Sequence, residues 1–192
     1  MKARIFEQQG SSAMFIGLLL GAVIGFGSIA SAYADPISPE VQAKVEQYKK
    51  KLQEWAANPA IVAAVKEANA KGGAIPGMSN AKWDELTDAD PVVKGLQTSA
   101  AGKVVSKLEE DKGINKLYVR DEKGNLVAGS NKPILFNNAA RAPFKNAITG
   151  KVFAEGEAKT DPTTQKKSVQ VSAPIMDGGK AIGVIHTAVS AD

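Results

Sequence analysis

Ile114-Asn115-Lys116-Leu117-Tyr118-Val119-Arg120-Asp121, Glu122-Lys123-Gly124-Asn125, Leu126-Val127-Ala128-Gly129: these consecutive segments decide the fold. β-branched and aromatic residues flank a Gly-Asn turn, which is the pattern of a β-hairpin. Ser168 to Ile175 and Ala181 to Val189 repeat it around Met176-Asp177-Gly178-Gly179-Lys180. Connections this short cannot carry a parallel crossover, so the strands read as an antiparallel meander. Val152 to Ala158 adds a short strand. Between the hairpins lies a long crossing segment, about Ser130 to Gly150, with a short helix over Arg141 to Ile148. A connection of that length inside a domain points to function.

Upstream, the hydrophobic period changes to that of helices. Val41, Val45, Tyr48, Leu52 and Trp55 recur at three- and four-residue spacing after Ser38-Pro39, a cap followed by a first-turn proline. That helix ends near Asn58-Pro59, and a second one, through Ile61, Val62, Val65 and Ala68, stops at Gly72-Gly73. Ser79 caps a short helix carrying Trp83 and Leu86. A fourth helix is predicted from Pro91 to about Asp111, with Val93, Leu96, Ala100, Val104 and Leu108 on one face. The expected class is α+β: a helical lead-in over 38–111 and a sheet over 114–190, in one domain spanning 35–192.

The 192 residues contain no cysteine, which excludes disulfides, thiolate metal sites and covalent haem attachment. Lys2 and Arg4 precede a run of apolar and small residues from Ala13 to Ala30, and Ala32-Tyr33-Ala34 supplies small residues where a signal peptidase reads. Residues 1–34 thus read as a secretory signal peptide, the alternative being an uncleaved anchor. In either case the remainder is expected outside the cytoplasm, periplasmic or secreted. Gly17, Gly21 and Gly25 have the spacing of a helix-dimerisation face. Losing Lys2, Arg4 and Glu7 leaves +3 of the +4 formal charge. Lys49-Lys50-Lys51 is the densest basic spot, reads as a solvated helix face, and no nucleic acid is expected.

Four segments together resemble the Cache family of extracytoplasmic sensor domains. They are Leu117-Tyr118-Val119-Arg120-Asp121 with Gly124-Asn125-Leu126-Val127-Ala128; Arg141-Ala142-Pro143-Phe144 continuing to Lys151; Val169 to Ile185; and Ala57 to Val65 with Asn69. The resemblance implies a PAS-like antiparallel sheet preceded by a long N-terminal helix. It also implies a pocket between the sheet and the crossing loop for small ligands, often amino acids or carboxylates, whose presence is reported to a signalling module. Amine-recognising members tend to carry an Arg followed by two aromatics on the loop, and an Asp in the last strand. Here Ala142-Pro143-Phe144 follows Arg141, and the last strand has Thr187-Ala188-Val189. The departure does not carry amino-acid recognition of that type over to this chain, and it leaves a carboxylate or other anionic ligand open. No second membrane segment and no kinase, cyclase or chemotaxis domain follows, so signalling is expected to pass through a partner protein. The Glu40–Trp55 helix is a candidate homodimer surface.

The candidate ligand-binding residues are Arg141, Phe144, Tyr118, Arg120 and His186. Arg141 has the guanidinium for a bidentate carboxylate clamp, or is a surface residue capping a loop carbonyl. Period two places Tyr118 with Ile114, Lys116 and Arg120 on one strand face, either lining a pocket or closing a core edge. His186 shares a face with Ile182, Val184 and Ala188, and is either a satisfied buried histidine or a functional one. One histidine cannot build a protein-only zinc site, and no metal or cofactor is expected. A non-covalent haem held by His186 and Met176 is the alternative function. No Ser/His/Asp order, carboxylate pair or phosphate loop stands out, so the chain is read as a binding protein and not an enzyme.

Overall fold

The computed structural model describes residues 37–192; the expected signal peptide, with Gly17, Gly21 and Gly25, lies outside the described residues. Helix α1 (Pro39–Ala56) starts as its sequence dictates. The Ser38 hydroxyl accepts from the Val41 N–H at 3.3 Å, Pro39 fills the first turn, and Val45, Tyr48, Leu52 and Ala56 form the buried stripe. In α2 (Pro59–Lys71) the Asn58 carboxamide accepts from the Ala60 N–H at 3.0 Å, and Gly72, at φ 76°, closes the C-terminus. Helix α3 (Asn80–Asp84) is capped by Ser79 and α4 (Pro91–Thr98) by Asp90.

The predicted helix from Pro91 to Asp111 is in fact two, α4 and α5 (Ala100–Glu109). Ser99 breaks it. Its backbone is extended (ψ 164°), and its hydroxyl accepts from the Gly102 N–H and donates to the Leu96 carbonyl, each at 3.0 Å. Gly102 permits the tight step, because a Cβ there would lie 2.2 Å from the Leu96 oxygen.

The strands are β1 (Ile114–Asp121), β2 (Leu126–Gly129), β3 (Phe153–Ala154), β4 (Lys159–Thr160), β5 (Lys167–Asp177) and β6 (Lys180–Ser190). Every pairing is antiparallel, in the order β2-β1-β6-β5-β3, with β4 also on β5. This is the PAS-like sheet with a long helix ahead of it that the motifs imply. It is not a meander. Two hairpins, β1–β2 and β5–β6, are joined by the long-range β1–β6 ladder, and the crossing segment carries the chain to the opposite edge.

The sheet has two covered faces. Leu117, Val119, Val169, Val171, Ala173, Ile175, Ile185 and Val189 pack under α1, α2 and α5 with Leu52, Ile61, Val65 and Val105. Each large aliphatic side chain buried there contributes roughly 1.5–3 kcal/mol. The opposite face carries Lys116, Tyr118, Arg120, Val184 and His186. Ile114 was expected with them, but a register shift between Ile114 and Leu117 moves it into the helix-covered core. Ile182, expected beside His186, also packs against the helical side.

Candidate functional site

The non-helical face of the sheet is roofed by the crossing segment and by α6 (Ala142–Ala147), leaving a cavity of about 320 Å³. That is within the range of small-molecule sites. Its sheet side is Lys116, Tyr118 and Arg120 of β1, Gln170 of β5 and His186 of β6. The pairings Tyr118↔His186 and Ser172↔His186 put these three strands side by side at the centre of the sheet. One wall is Pro133 to Leu135 with Asn138; the other is Glu155 and residues 159–163.

Arg120 is the keystone of the floor, with 2% of its surface exposed. Its Nε donates to His186 Nε2 at 2.9 Å; its other nitrogens donate to the carbonyls of Gly124 (3.2 Å), Phe136 (2.6 Å) and Leu135 (3.1 Å). The guanidinium is therefore committed to holding the crossing segment and the β1–β2 turn, and among the described residues it has no carboxylate in hydrogen-bond contact. Burial pulls its pKa down to about 9, with Tyr118 and Asp121 opposing. Gly124 adopts φ 82° in that turn, and a Cβ there would come within 2.7 Å of the Ala139 nitrogen, so glycine lets the segment return against the hairpin.

His186 is buried, and accepting from Arg120 at Nε2 leaves its proton on Nδ1. Burial, then the charges of Arg120 and Lys116, hold its pKa well below the ordinary 6.5, so the ring is neutral. The Tyr118 ring lies 5.5 Å from it, centroid to centroid. The Tyr118 hydroxyl donates to Asn131, whose amide nitrogen in turn meets the Glu109 carboxylate of α5 at 3.5 Å. Burial pushes the Tyr118 phenol well above its usual pKa. Asn138, 7% exposed, sends its amide nitrogen towards His186 Nε2 at 3.5 Å; its Oδ1 is buried without a hydrogen-bond partner among the described residues.

Lys116 forms an ion pair with Asp161, both buried. Asp161 also receives Gln170 Nε2 at 2.8 Å, and the Thr163 and Thr164 N–H groups at 2.9 and 3.0 Å. Burial acts to raise its pKa, but Lys116 and the turn amides outweigh it and hold the carboxyl below the ordinary range. Glu155 is the other acid in the lining; burial raises its pKa. Arg141 precedes α6, lines the cavity and is exposed; its guanidinium makes no hydrogen bond or ion pair among the described residues.

The structure thus brings Tyr118, Arg120, Arg141 and His186 around one cavity. Phe144 is not there. It points from α6 into a small core with Ala147 and Val184, because α6 must bury one face against the sheet. Arg120 lines the cavity as a brace for its wall, with four donors already used. Asp161, Glu155 and Asn138 went unread as site residues. The sequence signal for Asp161 is an Asp followed by Pro and two Thr, the local chemistry of a self-capped turn. Nothing local says that its second oxygen reaches a lysine 45 residues away.

The structure does not bring together His186 and Met176, the two residues expected for the haem alternative. His186 Nε2 already accepts from Arg120, and Met176 lies on the exposed end of the β5–β6 hairpin. Met176 pairs with Ala181 while His186 pairs with Ser172, which separates the two by several residues of strand, at about 3.3 Å each.

No family model matches the sequence, and no curated protein matches it. Solved structures do. The sensor domain of the V. cholerae histidine kinase DctB is 16% identical, over 79% of this chain and 57% of that one, with a TM-score of 0.42. The ligand-binding domain of the Pseudomonas aeruginosa amino-acid chemoreceptor PctC, solved with GABA, is 13% identical over 78% and 55%, with a TM-score of 0.46. The E. coli DcuS sensor domain is 13% identical over 68% and 91%, with a TM-score of 0.39. The chain spans less than two thirds of the first two. The likeness is one of general outline.

Proposed function

We propose that this protein is an exported small-molecule sensor domain that binds a small organic anion between its sheet and its crossing segment, and acts through a partner protein. The observation that carries the reading is the cationic cavity. Among the described residues Arg120 is buried without a bonded carboxylate, Lys116 makes one ion pair, with Asp161, and Arg141 at the rim makes no hydrogen bond or ion pair, with Glu155 the other acid in the lining. A buried positive charge lacking an opposite one is costly, and an anion entering beside it relieves that cost. No helix among the described residues is long and apolar enough to cross a membrane.

The test is a thermal-shift screen against mono- and dicarboxylates, amino acids, purines and haem. A carboxylate is expected to raise Tm by several degrees when present far above its Kd. Arg141→Ala should then weaken that ligand about 10- to 100-fold, the worth of a charge-assisted hydrogen bond. A screen in which no compound shifts Tm, or one in which only cations do, overturns the reading.

A further inference from the structure

The two long walls of the cavity are held in different ways. The crossing segment is bonded along its length: Trp83 Nε1 donates to Pro133, Arg120 to Leu135 and Phe136, and Asn80 exchanges two hydrogen bonds with Asn137. Residues 155–166 on the other side form an exposed strap in which Asp161 alone is buried. Backbone pairing ties the strap at its start, through the Glu155 N–H to the Gln170 carbonyl, and just before Asp161, through the two-residue β4 on β5.

Asp161 divides its labour. Oδ1 accepts the Thr163 and Thr164 amides and shapes the turn, in which Gln165 stands at φ 58°. Oδ2 accepts Lys116 and Gln170 and fastens that turn to the sheet. Lys116 makes no other ion pair among the described residues.

We infer that residues 155–166 are a hinged strap over the cavity and that the Lys116–Asp161 pair is its clasp. The inference rests on reading the cavity as a ligand site. With the crossing segment fixed, the strap is the wall that moves to admit a molecule. An anion arriving beside Lys116 competes with Asp161 for the same ammonium, so occupancy and strap position are coupled.

Amide hydrogen exchange on the full chain tests the clasp without any ligand, comparing wild type with Lys116→Met and Asp161→Asn. Removing one partner of a buried pair should speed exchange across 155–166 about ten-fold or more, with residues 130–138 within about two-fold of wild type. Two results overturn it: unchanged exchange in the strap, or equal acceleration of both walls in both variants, since the pair would then hold the whole sheet. Because this readout needs no ligand, a failed clasp is distinguishable from a failed ligand screen.

Discussion

The crossing segment and the strap face each other across one cavity, yet they are built on opposite principles. Hydrogen bonds from the Arg120 guanidinium and the Trp83 indole to main-chain carbonyls, backed by buried Phe136, fix the first. A buried charge pair, with Gln170 on the same carboxylate and the short β4–β5 pairing beside it, fixes the second. A wall tied through its carbonyls offers an incoming anion no carboxylate to displace, whereas a wall tied through a carboxylate can be displaced by another carboxylate. The contrast locates movement on the β3–β5 side and rigidity on the other.

The strongest way to break this contrast is Arg120→Ala. It leaves the carbonyls of Gly124, Leu135 and Phe136 without this donor and should cost about 3–5 kcal/mol in chemical denaturation. Arg120→Lys should not rescue it, because an ammonium cannot span the same fork of acceptors. A loss below about 1 kcal/mol would mean that the crossing segment is not held from the sheet. Trp83→Phe keeps a ring beside Phe136, 5.4 Å away between centroids, but removes the donor to Pro133. About 1–2 kcal/mol is expected, with faster exchange confined to the crossing segment.

The two walls should also answer pH with opposite sign. Asp161 has a depressed pKa, so its contribution is complete above the ordinary carboxylate value of 3.8 and is lost as pH falls through the depressed one. Glu109, which anchors Ser130 and Asn131, is raised by burial to about 7, the Leu117 amide opposing. Its contribution is complete below 4.5 and declines as pH rises through about 7. Stability measured against pH should lose its neutral-range slope in Glu109→Gln and its acid limb in Asp161→Asn. The smallest effect is a null one: His186 should keep a neutral, Nδ1-protonated ring from pH 5 to 8 in nitrogen NMR. A titration in that range would mean that Arg120 does not donate to it.

What was legible in the sequence was local. Ser38-Pro39, Asn58-Pro59 and Gly72 place helix ends through side chains that act within three residues. The two hairpins follow from their turns. The β1–β6 ladder does not, because it joins residues some 65 apart and no turn announces it. The break at Ser99 is written only as a serine and a glycine inside good helix formers. The bulge near Ile114 is invisible to a period-two count, and it moved one residue to the wrong face. Of the site, the strand residues Tyr118, Arg120 and His186 were readable. Arg120's role was not, since its partners are carbonyls supplied by a distant loop.

The sheet order has a kinetic side. β6 follows every other strand in the chain, yet it occupies the centre, between β1 and β5. β1 therefore waits, with one edge unpaired, while some 60 further residues are placed. Closing so large a loop before any contact rewards it slows folding, and an open apolar edge invites association in the interval. The strand that completes the cavity floor with His186 is also the one that closes the sheet, so refolding should regain cavity and core in a single late step.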